Sequence, residues 1–260
     1  MEDKQAALKM WDSAAEGFGK AAIPDENNFT MQLIAQNNMC PPGSRVLDVG
    51  CGAGKYAIVL ASTEAEAVIA TDFSSKMLAQ AEQNAARYGV GSIAFSQDDW
   101  SQVDIAAKGW QKAFHFVLCS MTPAVFNDTT LQKAIDACSG WLLITKPCRR
   151  TNSVIDALNE HLELDPAGGS ADSFIPLAMG KLWNMGALVQ LSYDKQVWSN
   201  SKPLEEAADY YTNRLQISNT LTAAHKTALR KYLTGIAENG IVTEETHTTV
   251  TAVYCNLSQV

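Results

Sequence analysis

Three glycines at alternate positions, Gly50, Gly52 and Gly54, interrupt the stretch VLDVGCGAGKYA (Val46 to Ala57), directly after an apolar run that holds one acid, Asp48. Glycine reaches positive φ and lets another molecule lie against the backbone. Where such a turn opens a helix, the first free N–H groups of that helix suit an anionic part of a ligand. The next apolar run, AVIATD, ends in Asp72, about 20 residues further on, where a carboxylate can hold ribose hydroxyls. A third run ends in Asp98 and Asp99, and a fourth, AFHFVLCS, ends in Cys119 and Ser120. These residue types suit the binding of a nucleoside-like ligand. The spacing is G-x-G-x-G with Lys55 following, whereas a dinucleotide fingerprint reads G-x-G-x-x-G and would need glycine at 55. An NAD-dependent oxidoreductase is disfavoured on that ground.

The elements that position these residues follow from periodicity. KQAALKMWDSAAEGF and NNFTMQLIAQNN read as helices, and CPPGSR as a turn. From there short apolar strands alternate with helices: Val46–Val49, GKYAIVLAS, AVIATD, SSKMLAQAEQNAARYG, SIAFSQDD, AFHFVLCS, TTLQKAIDACSG and WLLITKP. Ser74 or Ser75 caps the helix after Asp72, and Gly89 ends it. Alternation of this kind means a parallel sheet with helices on both faces, whose ligands bind at the carboxyl ends of the strands. After Pro147 come a helix (SVIDALNEHLEL), a Gly/Ser-rich loop (DPAGGSADS), a short apolar segment (FIPLAMGKLWNMG), a strand (ALVQLSYD) and two helices. The alternating end, TEETHTTVTAVYCNL, reads as an edge-type strand. The expected organisation is one domain over 1–260: a helical cap at 1–39, a core at 43–163, an insertion or lid with one late strand at 164–235, and a C-terminal strand region at 236–260.

The 260 residues are 47% hydrophobic and 18% charged, with a formal charge of -8. That acidity argues against nucleic acid as a partner, since the only basic run is the short one around Lys146, Arg149 and Arg150. No stretch reaches the roughly 18 apolar residues of a membrane span, and no signal-like segment opens the chain, so no membrane contact and a cytoplasmic location are expected. Cys40, Cys51, Cys119, Cys138, Cys148 and Cys255 form no CxxC pair and read as free thiols. His115 reads as a rim residue, while His161, His225 and His247 have no neighbours at metal-ligand spacing, so no metal site is expected.

Taken in order, VLDVGCGAG, IATDFSSKMLAQAE, FSQDDW, FHFVLCSMTP and GWLLITKP resemble the five motifs of the class I, seven-stranded, Rossmann-like S-adenosylmethionine (SAM)-dependent methyltransferases. The likeness runs from about Gly43 to Pro147 and more loosely over both ends. It implies an α/β doubly wound, mostly parallel seven-stranded sheet, SAM as cofactor and S-adenosylhomocysteine as product. It also implies roles. Asp48, Gly50, Cys51 and Gly52 would border the methionine and ribose part. Asp72 would take the ribose hydroxyls, and Phe73 and Met77 would flank the adenine. Asp98 or Asp99 would accept the adenine amino hydrogens, with Asp99 favoured because Trp100 then falls beside the ring. Cys119 and Ser120 would face the sulfonium, and the helix carrying Trp11 and Phe18 would fold over the cofactor, although both rings equally suit a core.

In-line methyl transfer needs positioning and shielding more than a fixed catalytic dyad, so no catalytic residue is assigned. SMTP, Ser120 to Pro123, lacks the Asn or Asp with which nucleic-acid amino methyltransferases hold the amino group. The expected reaction is transfer to a small-molecule acceptor, touched by Trp11, Phe18, Met121, Trp183 and Tyr211. Tyr211→Phe or Trp183→Ala would then lower turnover and spare SAM affinity. The alternative is a non-catalytic SAM-binding sensor or interaction protein. Cys51, Cys119 and Cys148 follow three strand ends. They are either small buried hydrophobes or, as in arsenite-methylating relatives of this fold, a thiol site.

Overall fold

The computed structural model describes residues 4–165 and 171–260, with only the backbone described at residue 6. The middle of the expected Gly/Ser-rich loop, 166–170, lies outside the described residues. In chain order the elements are α1 (Lys4–Lys20), α2 (Phe29–Gln36), β1 (Arg45–Val49), α3 (Lys55–Ala61), β2 (Ala67–Asp72), α4 (Ser75–Arg87), β3 (Ile93–Gln97) and β4 (Phe114–Ser120). They continue as α5 (Asp128–Ala137), β5 (Cys138–Asn152), α6 (Ile155–His161), α7 (Ala171–Asn184), β6 (Gln190–Pro203), α8 (Leu204–Gln216), α9 (Ala223–Ile236) and β7 (Ile241–Asn256).

The seven strands form one sheet in the order β3-β2-β1-β4-β5-β7-β6. β1 pairs in parallel with β2 and β4, β2 with β3, and β4 with β5. The chain reverses direction of progress between β3 and β4, on either side of β1, and a crevice opens at the carboxyl ends there. β7 runs against β5: Thr248 Oγ1 donates to Cys148 O, Asn152 Nδ2 donates to Glu244, and Ser153 N donates to Glu245 O, so one number rises as the other falls. The C-terminal strand is therefore interior, between β5 and β6, and β6 forms the edge. Its strong alternation comes from one covered face, not from an edge position. β5 and β6 run 15 and 14 residues, well beyond the stretches expected from sequence, while β7, at 16, keeps close to its expected length.

That length divides the chain into two compact units. Unit 2 comprises 11–146, 171–194 and 251–260, and unit 1 comprises 1–10, 147–170 and 195–250. Unit 2 holds β1 to β4 together with the first parts of β5 and β6 and the last part of β7. Its core has two clusters, one including Leu47, Val117, Leu142 and Ile144, the other Val46, Leu118, Leu143 and Ala252. Neighbouring strand positions thus bury opposite faces of a sheet covered on both sides. Unit 1 packs Leu158, Tyr211, Leu215, Leu229 and Leu233 from three helices against Val242 and its neighbours.

Candidate functional site

In unit 2 the glycine turn is built by its two flanking strands. Gly50, Gly52 and Gly54 have φ of 69°, 54° and 77°. Cys51 N donates to Thr71 O at 2.9 Å and Gly52 N to Asp72 Oδ2 at 3.0 Å, which ties the turn to the end of β2. Asn84 Nδ2 holds Ala53 O at 3.1 Å from α4. A Cβ at Gly50 would lie 1.9 Å from Thr122 Oγ1, and one at Gly54 2.9 Å from Ala81 Cβ. At Gly52 the nearest atom would be Met77 Sδ at 4.0 Å. Two of the glycines are thus required by the fold, while the third faces open space.

Asp72 stands at the centre. Besides Gly52 N it accepts Ser74 N at 2.9 Å, and Ser74 in turn caps α4 through Met77 N at 3.1 Å. Asp72 therefore shapes the turn as well as presenting a carboxylate. Burial raises its proton affinity, the N–H donors oppose this, and Asp12 nearby adds to the rise. Asp12 is the residue that sequence reading missed: its carboxylate accepts Ser74 Oγ at 2.6 Å from α1. Two further residues had no sequence signal. Thr122 fills the hollow above Gly50, and Lys146, buried in the middle of β5, donates to Thr122 O and Val125 O beneath the Phe174 ring. Together they fix the loop after β4, where Met121 takes φ of 52° and its N–H donates to Thr145 O.

Asp48, inside β1, is 2% exposed, and its Oδ2 has no hydrogen-bond partner. Burial, and then the charge of Asp72, push its pKa up to about 7. A buried acceptor without a donor is costly, so a donor from a bound group fits here. The methionine ammonium of SAM is such a donor.

A pH dependence follows. An ordinary aspartate loses its proton near 3.8, but Asp48 in the folded chain holds it to about 7. Between those values the unfolded chain binds fewer protons. Stability is therefore full below pH ~4, falls as pH rises to ~7 and levels off above. Thermal melting across that range should show this slope in the wild type and lose it in Asp48→Asn. Equal slopes would refute the assignment.

The other expected site residues divide. Met77, buried, stands with its Sδ 4.0 Å from where a Gly52 Cβ would lie, and Phe73 is half-buried at the end of β2. Asp98 binds Lys108 at 2.6 Å and its N–H donates to Asp72 O, while Asp99 receives Ser101 N and Oγ. Neither acid is simply solvated. Trp100 is a core residue whose indole N–H donates to Thr130 O at 3.0 Å, which corrects the expectation of a ring beside adenine. Cys119 is likewise wholly inside the core, whereas Ser120 pairs with Thr145 Oγ1 at 3.0 Å. Alternation along β4 lets only one of the two face the crevice. Trp11 and Phe18 pack edge-to-face at 5.9 Å on α1, with Phe18 exposed and 5.9 Å from Lys55 Nζ.

Burial pushes the Cys51 and Cys119 thiols toward the neutral form, and no three His, Cys, Asp or Glu among the described residues could hold a metal. Trp183 is 68% exposed on α7. Tyr211 lies in unit 1, 1% exposed, with its hydroxyl donating to Glu244 at 2.8 Å. Its removal acts on stability: Tyr211→Phe should cost about 1–3 kcal/mol, because Glu244 stays buried with one donor fewer. Chemical denaturation should register that loss while calorimetry finds S-adenosylhomocysteine affinity unchanged. No helix among the described residues is long and apolar enough to cross a membrane.

Comparison with known proteins bears on this geometry. Residues 46–143 match the family model described as a methyltransferase domain. Curated relatives are 23S rRNA (uracil(1939)-C(5))-methyltransferases. The one from Shewanella sp. (strain ANA-3) is 37% identical over 84 residues, and that from Shewanella amazonensis is 43% identical over 68. The chain spans less than a fifth of their length, 18% and 15%, and the matches cover 32% and 26% of the chain itself. Among solved structures, a Bacillus halodurans C-125 chain assigned as a methyltransferase has a TM-score of 0.51 at 17% identity, over 86% of this chain and 97% of that one. The precorrin 8w decarboxylase of Methanobacterium thermoautotrophicum has a TM-score of 0.50 at 14% identity, over 90% and 92%. Likeness at that identity shows a shared fold. The domain match and the strand order together show a methyltransferase domain over residues 46–143, set in a sheet with the Rossmann-like order of the class I SAM-dependent methyltransferase fold.

Proposed function

We propose that this methyltransferase acts on a small-molecule acceptor, with the SAM site formed by the Gly50–Gly54 turn, Asp48, Asp72, Phe73, Met77 and an acid at the end of β3. The observation that carries the cofactor half is the buried, unpartnered Asp48 Oδ2 in the strand that leads into the glycine turn. Bound there, SAM supplies an electrophilic methyl group. The chain's own residues bind and orient. Asp48 would accept the ammonium, Asp72 would accept ribose hydroxyls while holding the turn, and the loop from Ser120 to Val125, clamped by Lys146, would shield the reacting group. No side chain is assigned as a general base.

The small-molecule half rests on the net charge of -8 and on the SMTP sequence, which has no side-chain amide or acid to hold a base amino group. A second reading, an RNA acceptor, is favoured by the local matches to 23S rRNA methyltransferases. Incubation with methyl-labelled SAM and separate pools of metabolites and total RNA distinguishes the two. Label in low-molecular-weight products is expected. Label in RNA overturns the proposal in favour of the second reading. No label in either pool, with SAM still bound, favours a binding protein.

A further inference from the structure

Asp12 ties the unit 2 part of α1, residues 11–20, to the acid at the end of β2. Its Oδ1 accepts Ser74 Oγ at 2.6 Å, Ser74 N donates to Asp72 Oδ1 at 2.9 Å, and Gly52 N donates to Asp72 Oδ2 at 3.0 Å. Ser74 is wholly buried, and its Oγ also accepts Met77 N at 3.1 Å. A hydroxyl has one proton to give, and here it goes to Asp12. One unbroken chain of hydrogen bonds therefore runs from α1 to the glycine turn.

The rest of this face of α1 is small. Ala15 and Gly19 are buried at helical spacing from Asp12, and Gly19 lies against α4, where a Cβ would stand 2.1 Å from Gln80 Oε1. An alanine and a glycine bury little apolar surface, so a charge-assisted hydrogen bond weighs heavily in how firmly this face docks. Asp12 also brings a second negative charge to Asp72. Burial raises the proton affinity of Asp72, its N–H donors lower it, and Asp12 raises it further. Two carboxylates held on one serine repel each other. Ribose hydroxyls donating to Asp72 offset that repulsion, so an occupied site favours the docked helix. Linkage is reciprocal, and the docked helix favours binding by the same factor.

We propose that Asp12 is a positioning residue for the cofactor site: through Ser74 it joins the face of α1 formed by residues 12, 15 and 19 to Asp72, so that docking of this face and binding of the cofactor strengthen each other. The inference rests on the SAM site proposed above. Hydrogen exchange of residues 11–20 and titration calorimetry, both on the full chain with S-adenosylhomocysteine, test it. In the wild type the ligand should slow exchange over 11–20 about fivefold or more. Asp12→Ala should lose that protection and bind S-adenosylhomocysteine about fivefold or more weakly. Asp12→Asn keeps an acceptor for Ser74 and drops the charge. Its helix should be protected before ligand is added, and its affinity should stay close to the wild type. Wild-type exchange rates in β1 and β4 show that each variant is folded. Three results overturn the proposal: wild-type affinity in Asp12→Ala, an Asp12→Asn variant as weak as the alanine one, or wild-type exchange over 11–20 that the ligand does not alter. Failure of the wild type to bind S-adenosylhomocysteine at all would overturn the cofactor reading, and this inference with it.

Discussion

Asp72→Ala is expected to abolish SAM and S-adenosylhomocysteine binding at concentrations that saturate the wild type. Two hydrogen bonds from ribose hydroxyls to an ionised carboxylate are each worth about 1.5–3 kcal/mol. Losing both costs about 3–6 kcal/mol, or about a hundred- to ten-thousandfold in affinity. The same carboxylate holds Gly52 N and Ser74 N, so the substitution also frees the turn and the first residues of α4. Asp72→Asn keeps an acceptor oxygen without the charge, and its affinity should fall between the two. Titration calorimetry with SAM, S-adenosylhomocysteine and NAD decides the matter. Wild-type affinity in the alanine variant would remove Asp72 from the site. A preference of the wild type for NAD would overturn the cofactor assignment itself.

How much of this could be read from the sequence depends on the range of the contacts. The glycine turn, Asp48 and Asp72 were legible because each lies at the end of a short strand whose apolar pattern is local. The cap by Ser74 and the helix after it were legible for the same reason. Trp100 and Cys119 were misplaced because motif order gives a position along a strand but not which face is buried. The indole N–H of Trp100 reaches Thr130, 30 residues away, and nothing near it in sequence announces that. Thr122 and Lys146 were invisible for a related reason: one fills a hollow made by Gly50, the other satisfies carbonyls of the loop after β4 from the middle of β5. The interior position of β7 was missed because one-sided alternation marks an interior antiparallel strand as well as an edge.

The glycines give the sharpest separation of fold from function. Gly50→Ala should destabilise the chain severely. A residue with a Cβ at φ of 69° costs about 1–2 kcal/mol. Its Cβ would also sit 1.9 Å from Thr122 Oγ1 and 2.7 Å from Thr122 Cβ, an overlap that adds about 1–3 kcal/mol or more. Thr122→Ala should not rescue it, because the Thr122 Cβ position remains filled. Gly52→Ala meets nothing nearer than 4.0 Å, so it should cost only the backbone term of about 1–2 kcal/mol. Yet that methyl group projects into the space over the turn, where the proposed site holds SAM. SAM affinity should therefore fall steeply in a chain that still folds. Urea denaturation and calorimetry on the two variants separate the effects. If Gly52→Ala binds SAM like the wild type, the ligand does not lie over that glycine. If Gly50→Ala unfolds no more readily than Gly52→Ala, the loop carrying Thr122 yields, and the close approach of the two segments is not what requires glycine at 50.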